Sequence, residues 1–190
     1  VRGTMTASAD LKSRGHSPAE LAANLDGEIN VITENARIDK SALNLVTVDV
    51  IGWAISNMLS PNADVNIDCA IIIMHFNKGI GTTDLHIIDT PDTLIKIDAR
   101  LDLVKQTMDI AIVPEHKVRL FKTKKKPMEI YGPIANPQYK LVSLKDLAHE
   151  AGRAWLLAPL TISTSLLNNI TSLIVKPEES KPGSCDKFLQ

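Results

Sequence analysis

The chain has 190 residues, of which 44% are hydrophobic and 4% aromatic, and its formal net charge is −1 at pH 7. This length and composition allow one domain with a single core, or one sheet with covering helices. The near-zero charge argues against nucleic-acid binding, which goes with a basic excess, and the few aromatic residues offer no stacking platform for bases.

The first residues alternate between apolar and polar side chains, which predicts a strand over residues 4–11. The chain begins within this strand, without a Met or a signal peptide, so we expect a fragment of a longer protein. A short helix is predicted next, because Ser17 can cap it, Pro18 suits its first position and Glu20 can complete a capping box.

A second strand is predicted over residues 28–34 and a longer helix over residues 40–59, with Pro61 beyond its end. Within that helix, residues 46–51 are rich in β-branched side chains, which also favour a strand. The two structures stay open as alternatives for this short run.

Residues 65–113 form the most regular part of the sequence. Period-two alternation predicts strands over residues 65–76, 80–88, 94–103 and 107–113, with one dry face and one wet face. Short turns between them predict an antiparallel meander. A helix, a second sheet or a ligand must cover the dry face, and the identity of that cover decides the function.

The last strand is predicted over residues 127–131 and a helix over residues 144–155. A basic run precedes that strand, and it has two interpretations: a solvated loop, or a contact with anionic lipid headgroups. The candidates for headgroup contact are Lys124, Lys125 and Lys126.

Residues 155–175 carry no charge, but Pro159 and several Asn, Ser and Thr residues make this segment too polar for a transmembrane helix. Helical spacing predicts instead an amphipathic helix. Its contact face comprises Ile162, Leu166, Leu167, Ile170, Leu173 and Ile174. The predicted fold class is therefore α+β: a curved, groove-like antiparallel meander with covering helices over residues 1–176, followed by a polar tail over residues 177–190.

No catalytic motif is present: the five histidines are scattered, and GxSxG, phosphate-loop and HExxH patterns are missing from the sequence. We therefore expect no enzyme, no metal site and no cofactor. The spacing of Cys69 and Cys185 leaves two alternatives open, a pair of free thiols or one disulfide.

Several segments, each weak alone, together resemble the C-terminal domain of the AsmA-like proteins of Gram-negative envelopes. In chain order they are LDGEINV (25–31), ARID (36–39), IDARLDL (97–103), MDIAIVP (108–114), PMEIYGPIANP (127–137), AGRA (151–154) and the apolar tail helix. The resemblance covers nearly the whole chain in the correct order.

This resemblance implies a periplasmic domain of a protein anchored in the inner membrane by an N-terminal helix that this chain lacks. It implies passive phospholipid transport to the outer membrane, and outer-membrane integrity, through an apolar β-groove. It also implies a Cys69–Cys185 disulfide, because family members often carry cysteines at matching positions in an oxidising periplasm. The candidate groove residues are Ile95, Ile97, Leu101, Leu103, Ile110 and Ile112.

Two alternatives to an open groove remain. The predicted helices can cover the same side chains and give a closed core. The domain can also act as a non-enzymatic docking module that caps the groove and binds an outer-membrane protein or a membrane surface.

Overall fold

The computed structural model describes residues 2–38, 64–117 and 126–143, together with residues 146, 156, 185 and 188. These residues form an eight-stranded sheet in which each strand pairs antiparallel with its neighbours in sequence. The strands are β1 (Arg2–Lys12), β2 (Asp26–Ile38), β3 (Val65–Asn77), β4 (Ile80–Asp89), β5 (Thr93–Asp102), β6 (Thr107–His116), β7 (Met128–Pro133) and β8 (Gln138–Leu141). The predicted meander is confirmed.

The predicted α+β fold class with covering helices is wrong. The described residues are nearly all strand, and the one helix whose bounds are described, α1 (Pro18–Ala23), has six residues. The physical reason is that period-two patterning, which favours strands, dominates the described residues. The predicted helices over residues 40–59 and 155–175, with the whole predicted tail-helix contact face, lie outside the described residues apart from Leu156. Of the helix predicted over residues 144–155, only Asp146 is described; it is helical, and its amide donates to Ser143 Oγ at 3.2 Å.

The β3–β4 hairpin has the tight turn that its sequence predicts. Lys78 and Gly79 connect the strands with positive φ angles of 47° and 73°, which suit the right-handed twist of paired strands. The Gly79 amide donates to the Leu25 carbonyl at 2.9 Å, and an added Cβ at Gly79 would lie 2.6 Å from the Ala22 carbonyl oxygen. This turn therefore needs glycine both for its backbone angle and for its close approach to the end of α1.

The start of α1 follows the predicted capping pattern in part. Ser17 Oγ accepts a hydrogen bond from the Glu20 amide at 3.2 Å, and Pro18 occupies the first turn. The Glu20 carboxylate accepts from the amide of His16 at 2.7 Å, one residue before the capping residue. The helix is thus capped in the expected place, with the reciprocal bond displaced by one residue.

Cross-strand pairing divides the sheet into two faces, because directly paired residues share a face. We call the face that carries Ile97 and its partner Ile112 the front face. The opposite face, which carries Lys96 and its partner Val113, is the back face. Register shifts at Arg2/Thr4, Ile73/Met74 and Thr82/Ile87 mark bulges, which bend strands and agree with the predicted curvature.

The back face is not the uniformly wet surface that the alternation predicts. Ile71 and Ile87 on this face have no exposed area, and Ile73 and Leu85 are 2% and 4% exposed. Cys185 and Phe188 pack with this cluster. Strands β3 and β4 therefore bury apolar side chains on their back face as well, and the run Ile71-Ile72-Ile73 shows this two-sided character directly in the sequence.

Candidate functional site

The predicted groove residues lie together on the front face of β5 and β6, with one exception. Cross-strand pairs join Ile97 to Ile112 and place Ile95, Leu101 and Ile110 on the same face. Leu103 lies just after the end of β5, in the turn to β6. The alternation therefore predicts correctly that these residues share one face of the sheet.

Most of these side chains are buried from solvent. The exposed fractions are 1% for Ile95, 3% for Ile97, 8% for Ile110 and 2% for Ile112, whereas Leu101 is half-buried. Ile130 and Met128 of β7 extend the same cluster. An acyl chain could contact this part of the front face only by displacing whatever shields it.

The front face continues across β4, β3 and β2 to β1, where its side chains are exposed. One row of paired residues runs from Met5 through Thr33, Ala70 and Ile88 to Ile95. Exposure falls along this row from 69% at Met5 to 1% at Ile95. The sheet therefore has an open end and a closed end on the same face.

The open end of the front face carries no charged residue on its three strands. It consists of Met5, Ala7, Ala9 and Leu11 on β1, Gly27, Ile29, Val31 and Thr33 on β2, and Ala70, Ile72, Met74 and Phe76 on β3. The residues on β2 and β3 are half-buried, while those on β1 are exposed. We call these twelve residues the open strip.

The back face behind β1 and the start of β2 is polar, whereas behind β3 it is apolar. Asp10 pairs with Glu28, and Lys12 pairs with Asp26, across β1 and β2. Glu28 in turn contacts His75 Nε2 through Oε2 at 3.0 Å. The sheet is therefore amphipathic in its first strands, as a period-two pattern requires.

The open strip was missed as a candidate site by the sequence reasoning, although its signal is present. The alternation of Met5, Ala7, Ala9 and Leu11 predicts the strand correctly but does not tell how much of it is covered. The useful signal is the small size of Ala7 and Ala9, since a strand that packs against a cover usually presents larger side chains.

His86 is the titratable group on the front face between the open and closed ends. It pairs with Ile72 across β3 and β4, and its Nδ1 is buried without a hydrogen-bond partner. Burial lowers the pKa of His86 from 6.5 to about 4, because the charged imidazolium loses hydration there. At neutral pH the side chain is therefore uncharged, and the front face keeps its uncharged character at this position.

The charged residues of the central strands are paired on the back face. Lys96, 1% exposed, places Nζ 2.7 Å from Glu115 Oε1, and buried Asp89 pairs with Lys117. Glu129 and Lys140 form a third pair at 2.6 Å. Because burying an unpaired charge is costly, these contacts explain how charged residues are tolerated there.

The predicted disulfide between Cys69 and Cys185 is confirmed, with an S–S distance of 2.06 Å. Cys69 lies on the back face of β3, and both cysteines are buried. The Cys185 amide also donates to Glu34 Oε1 at 3.0 Å. The bond therefore fixes Cys185 to the face opposite the open strip.

Of the three lysines predicted to contact lipid headgroups, one lies within the described residues. Lys126 is exposed, whereas Lys124 and Lys125 lie outside the described residues.

Among the residues that the structure describes, no group of three or more His, Cys, Asp or Glu side chains is placed to hold a metal ion. Within the same ranges, no helix combines the length and apolar character needed to cross a membrane.

The fold and the candidate site define a class of protein: an antiparallel meander with one uncharged face that is open at one end. Neither a family model nor a solved structure matches the chain. It is, however, 22% identical over 187 residues to the AsmA family protein YhjG of Escherichia coli (strain K12). The alignment covers 98% of this chain and 26% of that protein, so the chain spans about a quarter of its curated relative's length.

This similarity along almost the entire chain supports the predicted resemblance to an AsmA-like C-terminal domain.

Proposed function

We propose that this chain contributes to passive phospholipid transport between the inner and outer membranes, and so to outer-membrane integrity. We place it in the periplasm, as part of a protein anchored in the inner membrane. The uncharged front face, which runs from exposed β1 to buried β5, carries this proposal. Acyl chains have no polar groups, so such a face can shield them without burying an unpaired charge.

The similarity to an AsmA family protein, together with the resemblance described above, supports the same proposal. The route needs no catalytic residues, because an acyl chain that moves along an apolar surface makes and breaks only non-covalent contacts. We accordingly propose a binding and transfer role, without an enzymatic step.

The first test measures lipid on the purified, oxidised chain. Native mass spectrometry and solvent extraction should show bound phospholipid, and the protein should accelerate transfer of a fluorescent phospholipid between vesicles. A protein that carries no lipid and leaves the transfer rate at the protein-free level would overturn the proposal. That result would favour the docking module, whose predicted contact face on the tail can be probed by crosslinking from Leu166.

A further inference from the structure

We propose that His86 donates a hydrogen bond to an uncharged polar group of the bound phospholipid, the ester carbonyl that joins an acyl chain to glycerol. His86 lies on the front face of β4, where it pairs with Ile72 of β3 and precedes Ile88 by two residues. This inference rests on the proposed function. It gives the apolar front face one polar contact, which fixes where along the sheet the acyl chain begins.

The surface around His86 is apolar and only half-buried. Val31 of β2, Ile72 and Met74 of β3, and Ile88 of β4 share its face, and each of them is half-buried, as is His86 itself. Strands β2, β3 and β4 each pair with a neighbour on both sides, so this surface lies within the sheet. An acyl chain that contacts these side chains would pass directly beside the imidazole ring.

The two polar side chains on this face of β4 differ in their hydrogen bonding. Thr83 Oγ accepts from the amide of Ala99 at 2.8 Å, and Thr83 pairs with Met74. His86 Nδ1 is buried and has no hydrogen-bond partner. Buried polar groups are nearly always bonded, because an unpaired one loses hydration without replacement. The unpaired nitrogen therefore points to a partner that the ligand supplies.

The backbone of β4 is irregular next to His86. Pairing with β5 shifts register between Thr82 and Ile87, and pairing with β3 shifts between Ile73 and Met74. Bulges of this kind re-aim side chains and occur often beside functional sites. Because the χ2 torsion of histidine is broad, the ring can also turn Nδ1 toward a ligand on the front face.

The charge state of His86 selects the kind of group that it binds. Burial lowers the pKa of His86 to about 4, so the imidazole is neutral at pH 7 and offers one N–H donor. A neutral donor suits an uncharged carbonyl, whereas a phosphate is bound more strongly by a charged donor. The ester carbonyl is the uncharged acceptor of a phospholipid that lies next to its acyl chain.

The test compares a diacyl phospholipid with the diether phospholipid of the same headgroup and chain length, which lacks the carbonyls. We expect the oxidised wild-type chain to bind the diacyl lipid about tenfold more tightly, a factor typical of one hydrogen bond in a buried site. His86→Leu should bind both lipids equally, at the wild-type affinity for the diether lipid. His86→Asn, which retains an N–H donor, should recover part of the preference.

The matched control is Thr82→Val, which removes a polar group from the same strand on the opposite face. Thr82 is half-buried and pairs with His75 and Arg100. This variant should keep the tenfold preference. Affinity for the diether lipid also serves as the check on folding, since a misfolded His86→Leu would lose both lipids rather than the preference between them.

Nitrogen-15 NMR of the histidine ring tests the contact without substitution. The diacyl lipid should shift the Nδ1 resonance of His86, and the diether lipid should shift it less. Equal binding of the two lipids by the wild type, or a preference that survives in His86→Leu, would overturn the contact and leave the proposed function standing. A wild-type chain that binds neither lipid would instead overturn the proposed function itself.

Discussion

The two ends of the front face have the same period-two pattern but different surroundings. At the closed end, on β5 to β7, Ile97 is 3% exposed and Ile130 has no exposed area. At the open end, Met5 is 69% exposed and Val31 is half-buried. The pattern therefore determines which side chains share a face, while the position in the sheet determines whether that face can meet a ligand.

The back face of the sheet also differs between the first strands and the centre. Behind β1 and the start of β2 it is polar, whereas behind β3 and β4 it buries Ile71, Ile87 and the disulfide. The central strands are therefore covered on both faces, and the first two strands present one uncharged and one polar surface. We infer that the centre supplies most of the stability.

The largest expected effect is on the disulfide that secures the centre. The chain-entropy model predicts that the Cys69→Ser/Cys185→Ser variant loses about 4 to 5 kcal/mol of unfolding free energy, because the bond closes a loop with a sequence separation of 116. Urea denaturation of the oxidised wild type and the variant measures this difference. A loss below about 1 kcal/mol would show that the bond contributes little to the stability of the centre.

Truncation of one isoleucine at the closed end should also be costly. Ile97→Ala removes a side chain that is 3% exposed, and we expect a loss of about 2 to 5 kcal/mol from the lost burial and the resulting cavity. Val31→Ala, at the half-buried open end, should cost about 1 kcal/mol. Equal losses in urea denaturation would remove the distinction between the two ends.

A pH series probes the boundary between the ends. The pKa of His86 is about 4 in the folded protein and 6.5 in the reference state, so between these values the unfolded chain binds more protons. Stability should therefore fall as the pH decreases from 6.5 to 4, by up to about 3 kcal/mol at 1.36 kcal/mol per unit. Urea denaturation across this range measures the free energy of unfolding at each pH. This free energy should fall less steeply with decreasing pH in His86→Leu than in the wild type, whereas the exposed control His16→Gln should follow the wild type.

The smallest expected effect on stability is at Met5 on β1. Met5→Ser changes a side chain that is 69% exposed, so the unfolding free energy should stay within about 0.5 kcal/mol of the wild type. Under the proposed function its phospholipid transfer rate should nevertheless fall, because an exposed apolar side chain of the open strip is lost. Unchanged transfer of a fluorescent phospholipid between vesicles would show that Met5 does not contact lipid.

Much of the sheet could be predicted from the sequence because its signals are local. The alternation around Ile97 and Ile112 predicts their shared face, and Lys78-Gly79 predicts the hairpin turn. Strand ends extend beyond the predictions, as in β2, which continues to Ile38. The four-residue strand β8 was missed because its sequence, Gln138 to Leu141, follows Asn136-Pro137 and is too short to show a period.

The candidate site was harder to predict because coverage is a tertiary property. Ile95 and Met5 follow the same alternation, and nothing in either local sequence tells that one is 1% exposed and the other 69%. The pairing of Cys69 with Cys185 also depends on distant contacts, and here the family resemblance resolved two alternatives that spacing left open. Local sequence therefore predicts the faces, and only the assembled sheet shows where one of them opens.

The order of the strands has a consequence for how this protein is made. Each strand finds its partner beside it in sequence, so hairpins can form one after another without a search across the whole chain. Cys185 is the exception, since a sequence separation of 116 lies between it and Cys69. Thiol oxidation is thus expected to follow strand pairing, so a cell that lacks oxidising catalysts should accumulate the paired sheet with both thiols reduced.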